Sequence, residues 1–404
     1  MNNSKTSTIS PQKAGMGGIF AVACVLFSSH AGGGFATGNQ ATQYYAQYGW
    51  TAPIAAVIAM GLLAWTIREC MVMYNSRGLT SYKELFRTLY HPFDRLEWIF
   101  EIYFNIMVIC AVSAVIAGAA SLFDRLGIFP YAAAVVLVGA VLLCLTIFGA
   151  QLVSRASTVM SIVILACCAV IFTMGIAART DVIHEIFSNF QAPEGFHMGN
   201  AILNAFVYAG FQAVVIPTMI KCGVPLKNSR NASKAMTISF VMNAIALAMS
   251  CIMLLGWYQE FTAAGETTLP SLYICNQIGI PALYWFYNVA LLFCFISTGV
   301  TTVYGFVSRF EHLKALSGIR KPVARRAVVS CFCMIISMGV SMVGLDKIIK
   351  YGYGYCGYLG IVIIIVPFLT VGAYKNRKYI KEHPETETAD TANTIASTTA
   401  EPAI

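Results

Sequence analysis

Charge is scarce in this 404-residue sequence. Asp, Glu, Lys and Arg together make up 11% of it, where soluble domains carry about 25%. That supply cannot clothe a water-facing surface, which excludes a soluble enzyme, a disordered chain and a secreted scaffold. Metal-ligand patterns are also missing. His30, His91, His184, His197, His312 and His383 fall into no HxxxH spacing and no CxxC occurs, so neither a zinc site nor a redox dithiol is expected. Most of the thirteen cysteines, such as Cys24, Cys110, Cys144, Cys167, Cys168, Cys251 and Cys294, sit inside apolar runs, where cysteine behaves as a small hydrophobe. There is no GxxxxGK[ST] run and no polar stretch of nucleotide-binding size, which argues against ATP coupling within this chain. HExxH and paired aspartates at membrane depth are absent as well. The expectation is therefore no enzyme and no cofactor.

What the sequence has is apolar length. Hydrophobic residues make up 58%, the mean hydropathy is +0.69, and a membrane helix needs about 20 such residues. Ten apolar stretches fit that requirement: 14–47, 52–74, 97–122, 130–149 and 155–178, then 199–220, 234–258, 282–308, 325–344 and 353–374. The expected fold class is an all-α polytopic membrane protein of ten transmembrane helices. The expected organisation is a 1–13 N-terminus, a first five-helix half over 14–178, a connection over 179–198, a second half over 199–374 and a disordered tail over 375–404. The charged amphipathic segments 80–95 and 309–322 suit short surface helices.

The net charge of +8 resolves into topology. Placed on these ten spans, 22 of the 26 basic residues fall on one side, leaving Arg125, Arg179, Lys347 and Lys350 on the other. The positive-inside rule then makes both termini cytoplasmic, in a bacterial plasma membrane. Nucleic acid drops out as a partner. Membrane lipids and a small-molecule substrate remain, with the oligomeric state open.

Polar groups inside the spans are few and clustered. Span one carries Ser28, Ser29, His30, Ala31, Gly32, Gly33, Gly34, then Phe35 to Gln40. Three consecutive glycines weaken a helix and bare its backbone, which membrane proteins tolerate where the chain is buried in protein or lines a cavity. Helix packing through Gly34 and Gly38 is the simpler alternative. Span six carries Asn204, Phe206, Tyr208, Gly210, Phe211 and Gln212, with Pro217 further on. Interruptions at matching places of two halves point to a transporter binding site. Five helices per half is an odd number, so the repeat is inverted. Half-helix ends of opposite polarity suit a solute with both charges, an α-amino acid above all.

Five plus five spans, with breaks in spans one and six, resemble the LeuT-type architecture of the amino-acid–polyamine–organocation superfamily. The AGGGFATGNQATQYYAQYG stretch resembles the first helix of the YkvI-type membrane proteins, a family grouped with amino-acid permeases. The resemblance implies an alternating-access permease with discontinuous helices one and six. It also implies a substrate site at Ser29, His30, Gly32, Gly33, Gly34, Phe206, Tyr208, Gly210 and Gln212. Sodium-coupled members of that fold have a Gly-hydrophobe-(Thr/Ser)-(Thr/Ser) run in span eight, matched here by Gly299-Val300-Thr301-Thr302. On that pattern Thr301 and Thr302 supply hydroxyls to Na⁺, and Ala31 and Thr298 supply carbonyls. Some relatives use a lysine in span five, which this chain lacks. A proton-coupled carrier using His30 or Glu101, and a transporter-like sensor or channel, are the competing expectations.

Overall fold

The computed structural model describes residues 16–30, 32–192, 198–310, 316–319 and 321–384. Among them, eight helices are long and apolar enough to cross a membrane. A ninth span is the pair Ile162–Ala177 and Thr180–Ser188, bent by 72°. The remaining span is the first, whose apolar helix Met16–His30 stops after 15 residues. Large apolar side chains such as Phe148, Ile335 and Val362 face outward. That surface is a liability in water and a match for hydrocarbon, so the chain is an integral multi-pass membrane protein.

The packing repeats between the halves. Span two (Ala52–Ser76) lies along span seven (Ser229–Ala263), and span three (Glu97–Arg125) along span eight (Pro281–Phe310). Span one meets span seven as span six (Met198–Gln212 with Ile216–Cys222) meets span two. Span five (Ala150–Ala177) meets span eight as span ten (within Leu345–Glu382) meets span three. Span four (Tyr131–Cys144) meets span three as span nine (Pro322–Ser341) meets span eight. Each contact has its partner five helices on, as two five-helix halves require.

Glycine sets the closest approach. A Cβ on Gly210 of span six would stand 2.3 Å from Gly357 O, and one on Gly357 of span ten 2.4 Å from Val207 O. These two backbones touch because neither carries a side chain there.

One expectation shifts, that for the tail. The segment 80–95 does form a surface helix, Tyr82–Tyr90, begun by Ser81, whose hydroxyl accepts from Glu84 N–H at 3.3 Å. Of the second amphipathic segment, 311–315 and 320 lie outside the described residues. The tail was expected to lose structure from Lys375, yet the helix Ala373–Glu382 continues beyond it. Lys375 Nζ donates to the carbonyls of Thr88, Leu89 and His91 at 2.9–3.0 Å, completing the end of the surface helix. Arg77 donates to Asn376 Oδ1 at 2.9 Å and to Lys375 O at 3.0 Å. Polar composition hid the docking, because these bonds need partners nearly 300 residues away. Residues 385–404 lie outside the described residues.

Candidate functional site

Span one breaks where the three glycines stand. Helix Met16–His30 ends at His30, Ala31 lies outside the described residues, and Gly32 is extended at φ −77° and ψ −170°. A single turn, Gly33–Ala36, follows, with Phe35 N–H and Ala36 N–H donating to Gly32 O at 3.1 and 3.0 Å. Gly38, at φ +80°, then turns the chain into Asn39–Tyr44.

The three glycines face three different side chains. A Cβ on Gly32 would rest 3.6 Å from Thr298 Oγ1, an ordinary contact. On Gly33 it would lie 2.6 Å from the Phe295 ring, and on Gly34 2.4 Å from Gln40 Nε2. The run is bare because span eight and the chain's own return press against it. Close packing and the helix break therefore coincide here.

Span six is interrupted later than its polar cluster suggests. Met198–Gln212 gives way to a tightened turn at Ala213–Val215 before Ile216–Cys222. Pro217 explains the position: it has no N–H for Ala213 O, and its ring crowds that carbonyl. Ile216 N–H serves Ala213 O instead. One turn earlier the Tyr103 hydroxyl reaches in from span three, donating at 2.6 Å to Gly210 O and 3.0 Å to Phe211 O.

Between the two interruptions lies a cavity of about 460 Å³, within the size range of small-molecule sites. Ser29, His30, Gly32, Gly33, Gly34 and Gln212 line it, and so do Thr298, Thr301 and Thr302. Phe206, Tyr208 and Gly210 stand outside the lining, Gly210 being spent on span ten. Among the described residues the lining includes no Asp, Glu, Lys or Arg. Its exposed members Ser28, Ser29, Thr218 and Gly305 lie toward the basic end of the bundle.

The other end is shut. Tyr44, Tyr208, Phe211 and Tyr353 form a buried aromatic layer, with successive ring centroids 5.8, 4.8 and 5.1 Å apart. Tyr44 donates to Ile349 O at 2.7 Å and Tyr287 donates to Ala36 O. Asp346 accepts from Asn39 Nδ2 and from the hydroxyls of Thr267 and Thr268 at 3.2 and 2.9 Å. Beyond this layer is a second cavity of about 280 Å³, reached by Gln43, Asn204 and Lys350.

His30 is buried inside this arrangement. Its Nε2 lies 2.8 Å from the Tyr208 hydroxyl, which donates to Gln40 Oε1 at 3.1 Å. With the phenol's one proton on Gln40, the imidazole Nε2–H is the donor to the phenol oxygen. Asn243 of span seven faces the ring's other side. Its Oδ1 and the ring's Nδ1 are both buried and out of hydrogen-bond geometry with any described residue.

In span eight the Thr301 hydroxyl donates to Ser297 O at 2.8 Å and Thr298 O at 3.1 Å. That occupies its proton and leaves oxygen lone pairs toward the cavity. Among the described residues no group of three or more His, Cys, Asp or Glu is placed to hold a metal ion. Glu101 is engaged at the basic rim. It accepts from the Tyr82 hydroxyl and pairs with Lys83 at 3.6 Å and Arg309 at 3.7 Å. Burial and the bond to Glu101 push the Tyr82 phenol pKa up. The Arg309 guanidinium stacks 3.8 Å from the Phe104 ring.

Phe295, Tyr103 and the span-three wall were not singled out from the sequence. For Phe295 a signal existed: it stands at i, i+3 and i+7 with Thr298 and Thr302, on one helix face.

Solved structures share this architecture. A Na⁺-coupled sialic acid symporter, in a substrate-bound outward-open state, superposes with a TM-score of 0.60 at 11% identity, over 87% of this chain and 89% of that one. MhsT in complex with L-phenylalanine gives 0.59 at 15% identity, over 95% and 99%. Mhp1 in an inward-facing conformation gives 0.56 at 11%, over 89% and 91%. No protein-family model and no curated protein sequence matches the chain. The fold is thus that of the LeuT-type transporters, with discontinuous helices one and six.

Proposed function

We propose that this protein is a secondary transporter that moves a small zwitterionic solute, an amino acid, across the plasma membrane by alternating access with Na⁺ coupling. The observation that carries the reading is the central cavity: both interrupted helices line it, no charged side chain of the described residues enters it, and it is open toward the basic end of the bundle. Backbone N–H and carbonyl groups freed at the first break serve a carboxylate and an ammonium without buried side-chain charge. Hydroxyls of Thr301 and Thr302, with carbonyls of Thr298 and Ala31, are the oxygen set for Na⁺, neutral enough to release it again. The distribution of basic residues makes both termini cytoplasmic, so the open end faces inward. YkvI-type permeases are the family this reading favours.

A ligand that binds the folded state raises apparent stability. Thermal-shift measurements across an amino-acid panel, with and without Na⁺, should find a ligand whose shift grows with Na⁺. Gly33→Leu, which drives a side chain into Phe295, should abolish it. A panel without any shift sinks the amino-acid reading.

Proton coupling is a second reading, favoured by the surroundings of His30. A protonated imidazole would keep the Tyr208 oxygen as an acceptor on Nε2, with Asn243 of span seven as a second polar neighbour. A ligand shift indifferent to Na⁺ but lost in His30→Gln would favour it.

A further inference from the structure

One aromatic ring of span eight lines the central cavity. Phe295, 1% exposed, lies in a slot between Gly33 of span one and Gly118 of span three. A Cβ on Gly33 would stand 2.6 Å from Phe295 Cδ1, and one on Gly118 2.5 Å from Cζ. Carbon atoms do not approach so closely, so the ring occupies the room that two side chains would have taken. Phe295 also lines the cavity.

The neighbouring wall comes from span three and is apolar: Met107, Val108, Ala111, Ala114 and Val115. Polar side chains come from the span-one break (Ser29, His30, Gln40), from Gln212 and from the threonines of span eight. A cargo with a charged side chain would find no counter-charge among the described lining residues, and burying an unpaired charge is strongly unfavourable. A polar head against spans one and eight and an apolar side chain along span three meet both halves of the lining.

We propose that Phe295, seated between Gly33 and Gly118, is the specificity-determining residue: it sets how large an apolar side chain the cavity accepts from an uncharged amino acid. This rests on the amino-acid reading above. Apolar pockets discriminate about 10- to 200-fold per methylene, so a change at this ring should reorder cargo by size.

The experiment compares purified wild type, Phe295→Leu and Gly118→Ala by competition binding. The probes are glycine, alanine, leucine, phenylalanine, tryptophan, lysine and glutamate, each applied with Na⁺. Unliganded melting checks that each variant folds. Phe295→Leu should favour tryptophan over alanine by about tenfold or more relative to wild type. Gly118→Ala, whose methyl drives the ring toward the cavity, should shift preference the other way. If Gly118→Ala does not fold, Phe295→Leu decides alone. Equal changes for every ligand, or an unchanged size order, overturn the role of Phe295 and leave the amino-acid reading standing. Wild type that prefers lysine or glutamate overturns the apolar cargo. Wild type that binds none of the panel overturns the amino-acid reading and this inference with it.

Discussion

Gly210 and Tyr103 divide the work ahead of the second interruption. Gly210 lets spans six and ten touch, while the Tyr103 hydroxyl satisfies the carbonyls of Gly210 and Phe211 ahead of the interruption. A buried carbonyl without its donor costs about 1–3 kcal/mol. Tyr103→Phe should therefore lower stability by about that amount, measured by denaturant or thermal unfolding in detergent. An unchanged midpoint would mean that the carbonyls find another donor. The glycine triplet was readable as an anomaly, because nothing but close approach or a break accounts for three glycines in mid-membrane. Thr298 was tied to this break only through the family resemblance. Phe295 was not readable: it lies more than 250 residues downstream of the triplet, and no local pattern ties it there.

At the scale of elements, the spans were legible because apolar runs of membrane length leave few alternatives. The expected ranges 97–122 and 282–308 became Glu97–Arg125 and Pro281–Phe310. The helix ends and the second interruption were less legible. The cluster from Asn204 to Gln212 drew attention to itself by polarity, but Pro217 fixes the turn at Ala213–Val215. Polarity marks where polar groups are wanted; the missing N–H marks where the helix yields. The helix Ala373–Glu382 shows the opposite case, a polar segment ordered by long-range bonds. Packing of spans six and ten gives a sharp prediction. Gly357→Ala sets a methyl 2.4 Å from Val207 O, a backbone atom that cannot rotate away. It should destabilise by about 1–3 kcal/mol. Gly339→Ala in span nine meets nothing within 4 Å and should be neutral or stabilising by up to about 1 kcal/mol. Unfolding midpoints that rank the two the other way would refute the close contact of spans six and ten.

For the molecule as a whole, two five-helix halves meet in a contact pattern that maps onto itself. One end is held shut by aromatic rings and by Asp346 with its three donors, and the other is open through Ser28, Ser29, Thr218 and Gly305. A carrier must exchange these conditions, and the bonds at the shut end are those that must break. The most direct test of the account is uptake of a labelled apolar amino acid into liposomes holding the purified protein, with an inward Na⁺ gradient and no pH gradient. The account predicts accumulation above equilibrium that collapses when the Na⁺ gradient is removed and is lost in the Thr301→Val, Thr302→Val double variant. Accumulation indifferent to Na⁺ but driven by an inward proton gradient would contradict the sodium site, and flux that never exceeds equilibrium under either gradient would contradict a coupled carrier altogether.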